Sequence, residues 1–217
     1  MMLLGNDRCS ASTTFVDARS VFPTGAAKLG KLGNLLVGGR QRQGSSASGE
    51  STVPPTNFDT HQFAAQAHAG QVDKGGKPYI RHINRVAAAA DRRAQHALKV
   101  DGLQINPEHV LQAAYLHDVV EDTKTVPDDL VRAGYAPEVI AMVRLLTKTD
   151  EPMNYAERIT ALIEARNLGA ILIKLSDNED NASIERQLPN KKEVTARYAA
   201  SMPRLRDAAA ALGYTGS

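Results

Sequence analysis

The chain has 217 residues, enough for one domain with a sizeable core, and a formal net charge of +2 at neutral pH. The positive excess lies in the first 50 residues, where Arg8, Arg19, Lys28, Lys31, Arg40 and Arg42 outnumber Asp7, Asp17 and Glu50, and the near-neutral remainder implies no nucleic-acid partner. The single cysteine, Cys9, excludes an intrachain disulfide framework and favours a reducing, cytoplasmic compartment, while no apolar run approaches the roughly 20 residues that cross a bilayer as a helix.

Residues 1–56 are rich in Gly and Ser, close on Gln43-Gly-Ser-Ser-Ala-Ser-Gly-Glu-Ser-Thr-Val-Pro-Pro55, and sustain no helical period. They read as a disordered or low-complexity tail. A basic, acid-poor, Ser-containing start also permits a targeting segment, although no amphipathic Arg-rich helix is present. Residues 57–217 then form the candidate domain.

From Asp59 the pattern turns helical. Asp59 or Thr60 can cap a helix to about Ala69, with Phe63, Ala64 and Ala67 on one face and Gly70 ending it. Gln71-Val-Asp-Lys-Gly-Gly-Lys-Pro78 reads as a loop, and a helix after Pro78 carries His82 and runs to about His96. Asn106-Pro107 starts the next helix, predicted to run unbroken from about Glu108 to Asp122. A short helix follows from Val126, stopped near Gly134. Pro137–Leu146 keeps apolar Val139, Ile140, Val143 and Leu146 at helical spacing. Tyr155–Arg166, Leu168 to about Ile184, and Lys191 to about Leu212 complete an all-α bundle with short connections. No repeat and no alternating stretch argues for a sheet.

The chemistry concentrates in Ala113-Ala-Tyr-Leu-His-Asp-Val-Val-Glu-Asp-Thr123, which sets four ionisable side chains into an otherwise apolar helix. At about 100° per residue, His117 projects beside Ala113 and Val120, with Glu121, Asp118 and Asp122 following on one flank. Imidazole and carboxylates at the edge of a core need a partner, and a divalent cation satisfies both types. The helical projection also turns Asp177 toward Ala170 and Ile173, with Asn181 one turn beyond, and His82 lies one turn before Val86. Two His and two Asp from three helices form a mixed N/O set suited to Mn, Fe or Zn. Asp180 also projects inward, so Asp177 and Asp180 compete for the same role.

His82, His117-Asp118 and Asp177 resemble the ordered H…HD…D pattern of the HD-domain metal-dependent phosphohydrolases. Lys-Pro-Tyr-Ile-Arg-His82, Leu-His-Asp-Val-Val-Glu-Asp-Thr123, Leu-Thr-Lys148 and Ile-Lys-Leu-Ser-Asp177 through Asn181 are similar to the hydrolase domain of the Rel/SpoT enzymes and their small stand-alone relatives. The resemblance covers about Phe58 to Ile184. It favours Asp177 over Asp180 as the ligand and implies a single helical HD domain that removes the 3′-pyrophosphate of (p)ppGpp, a small-molecule nucleotide.

On this reading His82, His117, Asp118 and Asp177 hold a divalent metal, Mn²⁺ foremost, which binds a phosphoryl oxygen and activates water. Glu121 and Asp122, one turn on, orient that water or shuttle a proton. Asn181, Lys148 and the loop residue Lys74 are candidate substrate contacts; for Lys148 that role rests mainly on the resemblance, since a helix C-terminus favours lysine anyway. His61, His68, His96 and His109 read as surface or helix-end residues, and Tyr155 as packing. The chain departs from the family at Asp73, where an arginine that stacks on guanine is usual, at Ser183, another common arginine position with Arg186 nearby, and at Ile83, usually proline. The metal and water machinery is retained while the base contacts differ. Hydrolysis of another nucleotide or dinucleotide phosphate, or nucleotide sensing without turnover, are therefore the alternatives. Nothing in the sequence assigns an oligomeric state.

Overall fold

The computed structural model describes residues 53–73, 75–183 and 192–216. They form α1 (Asn57–Ala67), α2 (Ile80–Lys99), α3 (Pro107–Leu116), α4 (Val119–Asp122), α5 (Pro127–Arg132), α6 (Pro137–Leu146), α7 (Tyr155–Glu164), α8 (Leu168–Ala182) and α9 (Lys192–Ala211). Among the described residues the extended pairing is one isolated antiparallel bridge, Val72 with Pro78. The expected all-α class holds. The predicted tail lies outside the described residues up to position 52, as do Cys9, Lys74, Ile184 and Arg186.

α1 starts earlier than the periodicity suggests. Thr56 is the N-cap: its Oγ1 accepts the Asp59 N–H at 3.2 Å, and Asp59 Oδ2 accepts the Thr56 N–H at 2.9 Å. Asp59 is thus the third helical residue of a reciprocal capping box rather than the cap itself. Just before it, Pro55 O accepts from Gln112 Nε2 at 2.8 Å, fastening the entry of α1 to α3.

The first half of α8 is apolar nearly all round, burying Gly169, Ala170, Ile171, Leu172 and Ile173, with Leu175 following. Such a helix belongs inside the packing rather than at its edge. Helices α2, α3, α6, α7 and α9 all pack on it. α2, which also packs on α3, presents Val86, Ala87, Ala90, Ala94 and Ala97 with no exposed surface. Small side chains at that seam let the helix backbones approach closely.

The helix predicted from Glu108 to Asp122 is interrupted. α3 ends at Leu116 and α4 begins at Val119, with His117 at φ −58°, ψ −32° and Asp118 at φ −106°, ψ −3°. The Asp118 values lie in the sparsely allowed region between helix and strand. In an unbroken helix adjacent residues diverge by about 100°, which would carry Asp118 away from His117. The break instead brings Asp118 Oδ2 to 3.1 Å from His117 Nε2.

Other boundaries differ by less. α2 runs one turn past His96 to Lys99, and α7 stops at Glu164 rather than Arg166 because Arg166 takes a left-handed backbone, φ 50°. α5 stops before Gly134, whose φ of 82° suits glycine.

Candidate metal centre

His82 comes from the first turn of α2, His117 and Asp118 from the break between α3 and α4, and Asp177 from the middle of α8. All four meet. His82 Nε2 lies 3.6 Å from Asp118 Oδ2 and 3.4 Å from Asp177 Oδ1, and His117 Nε2 lies 3.1 Å and 3.8 Å from the same two oxygens. One donor atom each of His82, His117 and Asp118 falls within 4.8 Å of the other two. Asp177 adds an oxygen facing both imidazoles. Ligand atoms each about 2.1 Å from one ion stand roughly 3 Å or somewhat more apart, so these separations suit the edges of a coordination polyhedron.

The imidazoles are set up as ligands. His117 is 2 % exposed, and its Nδ1 lies 2.8 Å from Ala114 O. A carbonyl only accepts, so Nδ1 carries the hydrogen and, in the neutral ring, the Nε2 lone pair faces the carboxylates. That Nε2 is buried and has no hydrogen-bond partner, as expected of an atom reserved for an ion. His82 Nδ1 lies 2.7 Å from Asp180 Oδ2, leaving its Nε2 for the site. Asp180 also accepts from Arg85. Asp180 therefore engages the His82 nitrogen that faces away from the cluster rather than the position of Asp177, an arrangement like the carboxylate–histidine pairs common around bound metals.

The carboxylates are held as firmly. Asp177 Oδ2 accepts from Lys174 Nζ at 2.8 Å, and its Oδ1 accepts from Asn181 Nδ2 at 2.6 Å. Asp118 Oδ2 accepts the Tyr79 hydroxyl at 2.6 Å.

Electrostatics follow from this crowding. Burial pushes both histidines down, but Asp118, Asp177 and, for His82, Asp180 outweigh it, raising His82 to about 9 and His117 to about 10. Burial pushes Asp118 and Asp177 up, and the facing cations, His117 on Asp118 and Lys174 with His117 on Asp177, hold both well below the usual carboxylate range. Without an ion, then, the cluster holds protons in the ion's place. The donor set and the orphaned Nε2 fit a divalent cation.

The predicted water-handling pair sits one turn on, in α4. Asp122 N–H donates to Asp118 O at 2.9 Å. Burial, Asp118 and Glu121 raise the Asp122 carboxyl, against opposition from His68 and Tyr79. Glu121 Oε2 accepts the backbone N–H of Lys148 at 3.0 Å, so the helix break and the Leu-Thr-Lys148 segment are joined there. The Lys148 side chain is exposed. Asn181 touches Asp177, where it can steady the carboxylate as well as reach a substrate. Lys74 lies outside the described residues.

Asp73, at the usual arginine position, organises its own loop. Its Oδ1 accepts from the backbone N–H groups of Gly75 and Lys77, both at 2.9 Å. The loop is further tied by Gln71 Nε2, which donates to Asp122 O at 2.9 Å.

Sequence reasoning passes over Tyr79, Lys174 and the roles of Asp180 and Arg85. Tyr79 and Lys174 stand at i−3 from His82 and Asp177, a spacing that shares a helix face and is a readable signal. Among the remaining histidines, His61 pairs with Asn84, His96 with Asp101 and Thr215, and His109 with Glu138. His68 ends α1 as its C-cap and is buried rather than at the surface. Tyr155 packs half-buried, its hydroxyl donating to Asn178 Oδ1 at 2.7 Å.

Comparison with known proteins points the same way. The HD domain family matches residues 60–178. The fly protein guanosine-3′,5′-bis(diphosphate) 3′-pyrophosphohydrolase MESH1 (Drosophila melanogaster) is 35 % identical over 137 residues, covering 60 % of this chain and 70 % of its own. The guanosine-3′,5′-bis(diphosphate) 3′-pyrophosphohydrolase of Aquifex aeolicus is 33 % identical over 128 residues, covering 56 % of this chain; the match spans only 16 % of that longer relative. A solved structure described as a metazoan ortholog of SpoT that hydrolyzes ppGpp superposes with a TM-score of 0.53 at 30 % identity, covering 75 % of this chain and 90 % of that one. With the ligand geometry in place and more than half the chain matched, the protein belongs to the HD domain family.

Proposed function

We propose that this chain is a metal-dependent phosphohydrolase that removes the 3′-pyrophosphate of (p)ppGpp, with Mn²⁺ the preferred ion. The observation that carries the reading is the convergence of His82, His117, Asp118 and Asp177, with the buried Nε2 of His117 facing both carboxylates and making no hydrogen bond. The relatives named for this reaction support the substrate.

A bound divalent cation supplies Lewis-acid polarisation of a phosphoryl oxygen and a water of lowered pKa. The chain does the rest. His82 and His117 present Nε2 in fixed tautomers because Asp180 and Ala114 O hold the opposite nitrogens. Lys174 and Asn181 fix the rotamer of Asp177, and Tyr79 fixes that of Asp118. Asp122, its carboxyl raised above the usual carboxylate value by burial, Asp118 and Glu121, receives the proton of the attacking water, and Glu121 orients that water from the same turn. Asn181 and the cations Lys148 and Lys74 are assigned to the substrate. Cys9 as the only cysteine agrees with a cytoplasmic location, and among the described residues no helix is long and apolar enough to cross a membrane.

Asp73 favours a second reading of the substrate. A carboxylate engaged with its own loop cannot stack on guanine as an arginine does, so a different nucleotide or dinucleotide phosphate fits the same chemistry. Purified protein with Mn²⁺ and ppGpp is expected to release pyrophosphate and GDP, and Asp177→Ala to lose both cation and rate. Metal-loaded protein that leaves ppGpp intact but cleaves another nucleotide in a panel would establish the second reading. Tight binding across the panel without any turnover would leave a sensor.

A further inference from the structure

A cavity of about 160 Å³ lies between the end of α6, the segment that follows it, α7 and α8. Leu146 and Ile159 supply apolar wall, and the charged lining is Arg144, Arg158 and Lys174. Among the described residues no carboxylate lines it. Lys174 already has a counter-charge, Asp177 Oδ2 at 2.8 Å. The two arginines have none: among the described residues neither guanidinium is in an ion pair. Arg144 is exposed, but Arg158 is half-buried, and its Nε is buried and finds no acceptor. A buried donor costs free energy until something accepts from it, the more so on a charged group.

Positive charge is also crowded here. Arg158 Cζ, Lys174 Nζ and Arg197 Cζ, from α7, α8 and α9, lie 5.6, 5.9 and 5.8 Å from the centre of the Tyr155 ring. The ring attracts each cation, while the cations repel one another. Tyr155 is held in place, its hydroxyl donating to Asn178 Oδ1 at 2.7 Å. An anion in the cavity relieves the repulsion and accepts from Arg158 Nε together. Donor type and size narrow its class. Guanidinium groups match tetrahedral oxyanions through paired N–H donors. A water occupies about 30 Å³ of liquid, so about five fill this space. A phosphoryl group and the atoms joined to it fit, whereas a whole nucleotide needs a pocket of roughly 300 Å³ or more.

We propose that this cavity is a phosphoryl-binding site separate from the candidate metal centre, in which Arg158 and Arg144 hold the oxygens and Lys174 links the site to Asp177. The same chemistry comes from free phosphate or from a phosphate of the substrate remote from the bond that is cut. The second source rests on the hydrolase reading above; the site itself does not.

The first test needs no turnover. Inorganic phosphate titrated calorimetrically into the full chain, with and without divalent metal, is expected to bind at a site that Arg158→Met weakens about 10-fold or more, the scale of a hydrogen bond to a charged group. The melting temperature and metal content of the variant should be kept. In nitrogen NMR of the wild type, the Arg158 Nε–H signal should move with the same Kd, a readout that does not depend on how the variant folds. No saturable binding, an Nε–H signal that stays in place, or equal affinity in Arg158→Met would overturn the proposal. The source of the phosphoryl group is read from metal-loaded protein in phosphate-free buffer. A KM for ppGpp raised about 10-fold in Arg158→Met assigns the cavity to the substrate. A change of rate on adding phosphate that the variant lacks assigns it to free phosphate. If metal-loaded wild type leaves ppGpp intact, the substrate reading falls, while the phosphate titration still decides for or against the cavity as a site.

Discussion

Asp180 Oδ2 and His82 Nδ1, contributed by α8 and α2, stand 2.7 Å apart, so a carboxylate 98 residues away in sequence sets which nitrogen of His82 faces the site. Removing such an outer partner typically costs 10- to 100-fold in metal affinity or activity. Asp180→Ala is therefore expected to weaken metal binding by about 10-fold or more while retaining measurable hydrolysis. Asp177→Ala should abolish both. Calorimetric metal titration of the two variants separates orienting residue from ligand; equal, complete loss in both would mean that the roles are wrongly divided.

The raised imidazoles give a pH dependence whose sign is fixed. Without an ion, His82 at about 9 and His117 at about 10 bind protons more tightly in the folded chain than unfolded histidine does, near pKa 6.5. That contribution to stability is fully present below about pH 6.5 and is lost as pH rises through 9 to 10. A cation must displace the same protons, so its affinity should rise across that window. Melting temperatures of metal-stripped protein should fall between neutral pH and pH 10 while those of loaded protein hold. Parallel curves for the two forms would contradict the linkage.

Tyr79→Phe deletes only the hydroxyl that Asp118 accepts at 2.6 Å and leaves the ring packed on His68 and His82. Loss of one hydrogen bond to a charged acceptor costs about 1.5–3 kcal/mol. Since Asp118 then lacks a fixed rotamer, the change is expected chiefly in metal affinity, by about 10-fold. Equilibrium dialysis against a competing chelator would read it, and an unaltered affinity would leave the hydroxyl without a role in the site.

Lys174→Met breaks the pair with Asp177, whose carboxylate is 5 % exposed. Leaving a buried charge without its partner costs about 3–5 kcal/mol. The metal-free variant should lose stability on that scale, and saturating metal should restore part of it by supplying the missing positive charge. Urea unfolding with and without metal tests this. A similar loss in both states would mean that Lys174 and the ion do not share Asp177.

Much of the fold is legible because helix signals are local. Pro107 and Pro137 open helices, Gly70 and Gly134 close them, and Val139, Ile140, Val143 and Leu146 keep their spacing. Boundaries are missed where the stop has no such marker: Arg166 turns left-handed without being glycine, and the break at His117-Asp118 contains neither Gly nor Pro. That interruption is held by contacts from α2 and α8, which no window around residue 117 contains. The four candidate ligands can be picked out because charge in an apolar helix is conspicuous. Tyr79 is only half legible: its i−3 spacing sets it on the face of His82, but the Asp118 carboxylate that accepts its hydrogen bond lies 39 positions on. His68 is hidden for the opposite reason. Its surroundings in sequence look solvated, and only the tertiary fold buries it.

The alanine seam of α2 sets the mechanical tolerance of the centre. His82 and Asp177 ride on two helices that pack on each other, and Ala87, Ala90, Ala94 and Ala97 of α2 have no solvent-exposed surface. Interiors packed this tightly transmit strain instead of absorbing it. A larger side chain at any of these positions would have to displace α2, and His82 with it, from its neighbours α3 and α8, so the spacing of the candidate ligands depends on bulk several turns away.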